Sequence, residues 1–308
     1  MTAIAAIMMV RNEEAILATT VGHLLNTIGV DHLVVADNGS TDATQKILQR
    51  LAKLDGRVRW TDASGPWNPS SVLTELAREA HRKGIDWVVP NDADEFYWFG
   101  SSSIRTLCSS TKSAGFVLDV RNFVQWRWVR RNHPRAIETM IFSSNPVGGM
   151  SDAQRLVQEG EIAFVQMFYP PKLILRTSPS LTIHRGDHSA DGTNGVLGRV
   201  TGIEVLHAPI PAANDLEARI SAAARLEEVE SFPSIGWHLR RLLKVVQEGR
   251  LREEWNANST RTGVIGPPRR KRWLRFDPRL RGIALKQRRF VSLAHAGIPD
   301  YRSQISNI

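Results

Sequence analysis

Asp92-Ala93-Asp94 places two carboxylates one residue apart, directly after the short apolar run Trp87–Pro90. Two such side chains can share a hard divalent cation, Mn2+ or Mg2+, which takes oxygen ligands and leaves room for substrate phosphates. A departing diphosphate gains charge as the bond to it breaks, and such an ion offsets that charge. The bland alternative is a solvated acidic turn. Position at a strand end, followed by Glu95-Phe96, favours the chemistry. Two more polar clusters follow apolar runs: Arg11-Asn12-Glu13-Glu14 and Asp37-Asn38-Gly39-Ser40-Thr41-Asp42. Their alternatives are a helix start, where acids are favoured by the macrodipole, and a tight turn with a helix cap.

The elements that must position these clusters alternate between strand and helix patterns, the mark of a sheet covered by helices. Ala3–Val10 is a continuous apolar run suited to a strand buried on both faces. Strands are expected again at His32–Ala36, Val58–Trp60 and Trp87–Pro90. Helical spacing runs through Ile16, Thr20 and Leu24, and through Ile47, Leu48, Leu51 and Leu54 with Ser40 or Thr41 as cap. A further helix opens at Ser70 or Ser71. Ligands of parallel sheets gather beyond the carboxyl ends of the strands, so one ligand there could touch all three clusters. Later strands are expected at Gly115–Val120, Lys172–Leu175 and Leu181–His184. Asn214 and Glu217 form a capping box for a helix through about Val229, and Ile235, Leu239, Leu242 and Val246 mark another.

The stretch MMVRNEEAILATTVGHLLNTIGVDHLVVADNGSTDAT, with WVVPNDADEFYWF after it, resembles family-2 glycosyltransferases of the GT-A fold, in the branch with an Asp-x-Asp-Glu-Phe motif. The resemblance covers residues 4–99 and continues more loosely in Lys172–Arg176, Gly186-Asp187-His188 and Ile203–Pro209. It implies an α/β fold with a mostly parallel central sheet and transfer of a sugar from a nucleoside-diphosphate donor, UDP-linked, with inversion. It further implies that Arg11, Glu13, Asp37 and Asp92 contact the donor, and that Asp92, Asp94 and a late histidine, His207, hold the metal. An inverting enzyme needs a carboxylate base for the acceptor hydroxyl. The Glu-Asp pair of many relatives is absent. Asp187, just after the Leu181–His184 run, is the expected base and Asp152 its rival. Trp98, Trp126 and Trp128 could stack on an acceptor sugar or pack in the core. The expected domains are a catalytic domain over 1–212, helices packed on it over 213–266, and a basic tail over 267–308.

Composition sets the remaining bounds. Of 308 residues 42% are apolar and 23% charged, as in a globular protein. The single cysteine, Cys108, excludes an intramolecular disulfide framework and a cysteine-based zinc cluster. No run approaches the roughly 18 apolar residues of a membrane span. The opening MTAIAAIMMV lacks a basic leader, so the expected location is cytoplasmic. The net charge is +9, and Arg269–Arg289 alone holds ten Lys and Arg against Asp277. This basic segment, with Trp273, Leu274 and Phe276, suits an anionic membrane surface carrying a lipid-linked acceptor, or is simply solvated. A nucleotidyltransferase would use a similar sheet, but no Gly-rich loop with lysine follows the first strand. The sequence pI of about 10.2 raises nucleic-acid binding. Confinement of the charge to one segment, with acidic clusters along the sheet edge, weighs against it.

Overall fold

The computed structural model describes residues 2–216 and 237–298. In chain order it forms β1 (Ile4–Val10), α1 (Leu17–His23), β2 (His32–Asp37), α2 (Thr44–Leu54), β3 (Val58–Asp62), α3 (Pro69–Arg82), β4 (Trp87–Pro90), β5 (Glu95–Trp98), α4 (Ile104–Ser109) and β6 (Gly115–Trp126). Then follow β7 (Phe142–Ser143), α5 (Met150–Gln158), β8 (Lys172–Arg176), β9 (Thr182–Ile183), β10 (Ala190–Asp191) and β11 (Leu197–His207). The last elements are α6 (Trp237–Gln247), α7 (Leu251–Asn258), β12 (Ser259–Thr260), β13 (Val264–Ile265), β14 (Arg272–Trp273), β15 (Arg275–Phe276) and α8 (Arg279–Ala294). The chain divides into two compact units, one of residues 1–120, 170–206 and 286–308, the other of 121–169 and 207–285.

The first unit is the α/β body that the alternating pattern predicts. β1 pairs in parallel with β2 and β4, and β2 with β3. β8 runs antiparallel between β4 and the start of β6. All seven residues of β1 are buried, which explains its unbroken apolar sequence. Helix α3 lays Leu73, Leu76, Ala77 and Ala80 on Ala5, Ile7, Val88 and Leu175. Cutting Ile7 to Ala in such a core costs roughly 2–5 kcal/mol. Asn68, not Ser70 or Ser71, caps α3: its Oδ1 accepts from the Ser71 amide at 3.1 Å, and Pro69 takes the first helical position. Neither Ser40 nor Thr41 caps α2, because both bond elsewhere; Asp42 Oδ1 accepts from the Thr44 amide at 2.9 Å instead.

In the second unit, the end of β6 pairs with β7 and β12, and β15 adds to β7. Val124, Val165, Ile210, Leu242, Trp255 and Ile265 form its core. The segment expected as a tail is folded through residue 298. β14 pairs with β13, Leu274 packs on this core, and α8 buries Leu280, Ile283 and Ala284 here and Val291 and Ala294 in its part that belongs to the first unit. Neither 212 nor 266 therefore coincides with a boundary between the units. The physical reason is that 267–294 carries enough apolar side chains between its cations to bury them. The helix expected from Asn214 to Val229, with Ile235, lies largely outside the described residues. Asn214 itself accepts from the Asn132 amide at 2.6 Å.

Candidate active site

The clusters after β1 and β2 are laced together in the first unit. The Asn12 amide donates to Ser40 Oγ at 2.9 Å and the Glu13 amide to Thr44 Oγ1 at 2.8 Å. The Glu14 amide donates to Asp42 Oδ2 at 3.1 Å, while Glu14 Oε2 accepts from the Ala43 amide at 2.8 Å. Asn12 Oδ1 returns a bond from the Thr41 amide at 2.7 Å. Asn12 stands in the left-handed region at φ 56°, which asparagine tolerates better than most residues. Asp37 is fully buried. It accepts from the Ser40 amide at 3.1 Å, from the Ser40 hydroxyl, and from Gln45 Nε2 at 2.7 Å. Arg11 Nη1 donates to the Asn38 carbonyl at 3.4 Å. Asn38 is buried too, its amide nitrogen held by the Ala63 carbonyl at 2.8 Å and its Oδ1 without a hydrogen-bond partner. A donor group on a bound nucleoside would satisfy that acceptor.

Asp92 and Asp94 lie in the turn between β4 and β5, which the Thr20 hydroxyl of α1 anchors through the Ala93 carbonyl. Because β8 is antiparallel to β4, its first residue, Lys172, lies beside the carboxyl end of β4. The Lys172 side chain is 1% exposed, and its Nζ stands 2.7 Å from Asp92 Oδ2, 2.9 Å from Glu95 Oε1 and 2.6 Å from Asp187 Oδ1. The contacts to Asp92 and Asp187 are hydrogen bonds; that to Glu95 is an ion pair without hydrogen-bond alignment. Asp92 is 48% exposed at its side chain, so the cluster opens to solvent on that side. An isolated buried ammonium is strongly disfavoured, and only such partners retain its charge.

Asp187 sits in the turn Arg185–Asp187 after β9, at φ 49°, preceded by Gly186 at φ 74°. A Cβ on Gly186 would meet the His188 ring at 2.7 Å, so glycine is required there both for space and for backbone sign. Burial pushes the Asp187 carboxyl up to about 7, against the pull of Lys172. Burial also holds Glu95 well above the ordinary carboxylate range. Asp187 Oδ2 is buried and has no hydrogen-bond partner. A buried carboxyl with one anchored and one unmet oxygen, titrating near neutrality, is equipped to take a proton.

Sequence reasoning therefore named Asp92, Asp94 and Asp187, which fall in one unit, but missed Lys172 and Glu95. The signal was a lysine opening the apolar run Leu173–Leu175: a strand buried on both faces has no room for an unpaired ammonium. Asp152 and His207 belong to the second unit. Asp152 is exposed in the first turn of α5. His207 is buried at the end of β11, with Nδ1 2.8 Å from Asn122 Oδ1 and its ring 4.4 Å from that of Tyr169. The Asn122 amide nitrogen faces the Val165 and Met167 carbonyls, so its oxygen accepts and His207 Nδ1 donates. Trp98 and Trp126 are half-buried; Trp128 is 60% exposed. Among the described residues no three His, Cys, Asp or Glu are grouped to hold a metal. Asp92 and Asp94 are oxygen donors on a rim, a set that fits Mg2+ or Mn2+ when substrate phosphates and water complete the shell.

Solved structures similar to this chain include Staphylococcus aureus TarS 1–349 in complex with UDP-GlcNAc, at 12% identity over 78% of this chain and 70% of that one, TM-score 0.43. The same protein in complex with UDP matches at 11% identity over 78% and 69%, TM-score 0.43. A 4-diphosphocytidyl-2C-methyl-D-erythritolsynthase from Anaerococcus prevotii matches at 15% identity over 41% and 57%, TM-score 0.27. Likeness at this level discriminates neither donor nor acceptor. No curated protein matches the chain. Residues 5–146 match the family described as Glycosyl transferase family 2, and the span holds the lacing after β1 and β2 and the Asp92–Asp94 turn. Over these residues the chain is similar to family-2 glycosyltransferases.

Proposed function

We propose that this glycosyltransferase takes a sugar from a nucleoside-diphosphate donor, with UDP as its nucleotide, and passes it with inversion to a hydroxyl of a carbohydrate or lipid-linked acceptor. The observation that carries this reading is the convergence of Asp92, Glu95 and Asp187 on Lys172 at the carboxyl end of β4. The laced loops, with Arg11, Glu13, Asp37 and the unmet oxygen of Asn38, bind the nucleoside. Asp92 and Asp94 would hold a divalent cation, which would offset the negative charge of the leaving diphosphate. Lys172 fixes Asp187 Oδ1, so that Oδ2 meets the acceptor hydroxyl and takes its proton as the sugar is attacked from the face opposite the diphosphate. Trp98, Trp126 and Trp128 are candidate stacking faces for acceptor sugars. Among the described residues no helix is long and apolar enough to cross a membrane.

The test is a transfer and donor-hydrolysis assay over a panel of nucleotide sugars with manganese, with product anomers assigned by NMR. The expected result is consumption of a UDP-sugar, an inverted product, and no transfer by a folded Asp94→Ala variant. Unchanged turnover in Asp94→Ala would remove the metal assignment, and a retained anomer the inverting one.

A further inference from the structure

We propose that the β14–β15 edge of the second unit binds an anionic lipid surface. The proposal is independent of the donor chemistry above. Trp273 is 74% exposed and Phe276 63% exposed, three residues apart on two short strands. They are presented by folded backbone. Val264 pairs with Trp273 and Phe142 with Phe276. Leu274 turns inward onto the core and fixes the outward register of its neighbours. That corrects the sequence expectation, in which Leu274 joined the inserting group. Phe276 is backed by an aromatic file: its ring meets Phe142 edge-on at 6.1 Å, and Phe142 meets Trp126 edge-on at 5.2 Å.

Around these rings stand Arg269, Arg270, Lys271, Arg272 and Arg275, all exposed. Only Arg270 has an ion pair among the described residues, with Glu161 at 2.9 Å. The other four cations have no ion-pair partner among the described residues, so the face is charged to match an anionic layer. A bilayer also supplies what the rings lack. Aromatic side chains favour the headgroup boundary, where an apolar layer lies beneath a polar one, and basic residues beside them are drawn to anionic lipids. A nucleic-acid duplex would answer the cations but offers no apolar layer for both Trp273 and Phe276.

The experiment uses the full chain with phosphatidylglycerol–phosphatidylcholine vesicles, pure phosphatidylcholine vesicles and a DNA duplex, read by co-sedimentation. The expected result is binding to the anionic vesicles alone. Binding should fade between about 0.1 M and 1 M salt, as the Debye length falls from about 10 Å to 3 Å. Trp273→Ser with Phe276→Ser should weaken vesicle binding at least about tenfold. Replacing Arg269, Lys271, Arg272 and Arg275 by Gln should weaken it by on the order of 10²-fold or more. Thermal unfolding and donor hydrolysis should be unchanged in both, since these side chains are solvent-exposed. Should the charge variant misfold, the aromatic variant and the salt series still decide. Equal binding to neutral vesicles, or anionic binding indifferent to both variants, overturns the proposal. Duplex binding indifferent to Trp273 and Phe276 overturns it in favour of a nucleic-acid surface. No donor turnover is needed for sedimentation, so its outcome is separable from the fate of the glycosyltransferase reading.

Discussion

In the loops after β1 and β2, polar side chains bond backbone amides of the facing loop: Ser40, Thr44 and Asp42 take the amides of Asn12, Glu13 and Glu14. After β4 the arrangement is different. Asp92, Glu95 and Asp187 face one another across a single ammonium. Both regions begin as polar clusters after buried strands, and their sequences look alike. The first builds a rigid rim out of many hydrogen bonds, each worth about 1 kcal/mol net. The second buries carboxyls around one cation, and burial, with a smaller push from their mutual repulsion, shifts Glu95 and Asp187 upward. Rim and cluster are thus separable by asking which cuts lower turnover and which leave it little changed.

The largest effect is expected at Lys172. Lys172→Met keeps most of the side-chain volume but leaves Glu95 and Asp187 buried without their cation, which should destabilise the fold by about 3–5 kcal/mol in denaturant titrations. Adding Glu95→Gln should recover part of that loss, because it removes one of the buried carboxyls left without its cation. Failure of the second change to recover anything would place the damage in packing instead of charge. Next comes Asp187→Asn, expected to lower kcat by about 10²-fold or more, equivalent to about 2.7 kcal/mol, while donor affinity stays close to that of the wild type. Asparagine suits the left-handed backbone at this position. Asp152→Asn should leave kcat alone; the reverse pattern would exchange the two roles. The smallest effect belongs to the lacing. Ser40→Ala removes one acceptor for the Asn12 amide and a donor to Asp37, so roughly 1–2 kcal/mol of stability should go, with a modest rise in donor Kd and little change in kcat.

The body of the fold was legible because the runs at Ala3–Val10, His32–Ala36 and Trp87–Pro90 are apolar and bounded by turn residues, and they form β1, β2 and β4. Asp92, Asp94 and Asp187 could be singled out for the same reason, since each follows a readable strand. Lys172 was not, because its partners lie 80, 77 and 15 residues away in sequence and only the antiparallel insertion of β8 beside β4 brings them together. Residues 267–294 were misread as a tail because a high density of cations hid the burying positions Leu274, Leu280, Ile283 and Val291. The division into units was not visible either. β6 reads as one strand, yet its first half belongs to one unit and its second half to the other.

The central claim is that Asp187 is the base, and the pH dependence of kcat/KM tests it most directly, because that quantity reports the groups of the free enzyme. As a base Asp187 would act only in its carboxylate form, and burial raises its titration to about 7. Below that pH the protonated form dominates, so kcat/KM should fall about tenfold per pH unit on the acid side and level off above about 7. In Asp187→Asn the residual activity should lose this limb. A profile flat from weakly acidic to weakly alkaline pH in the wild type, or an acid limb that survives intact in Asp187→Asn, would contradict the assignment.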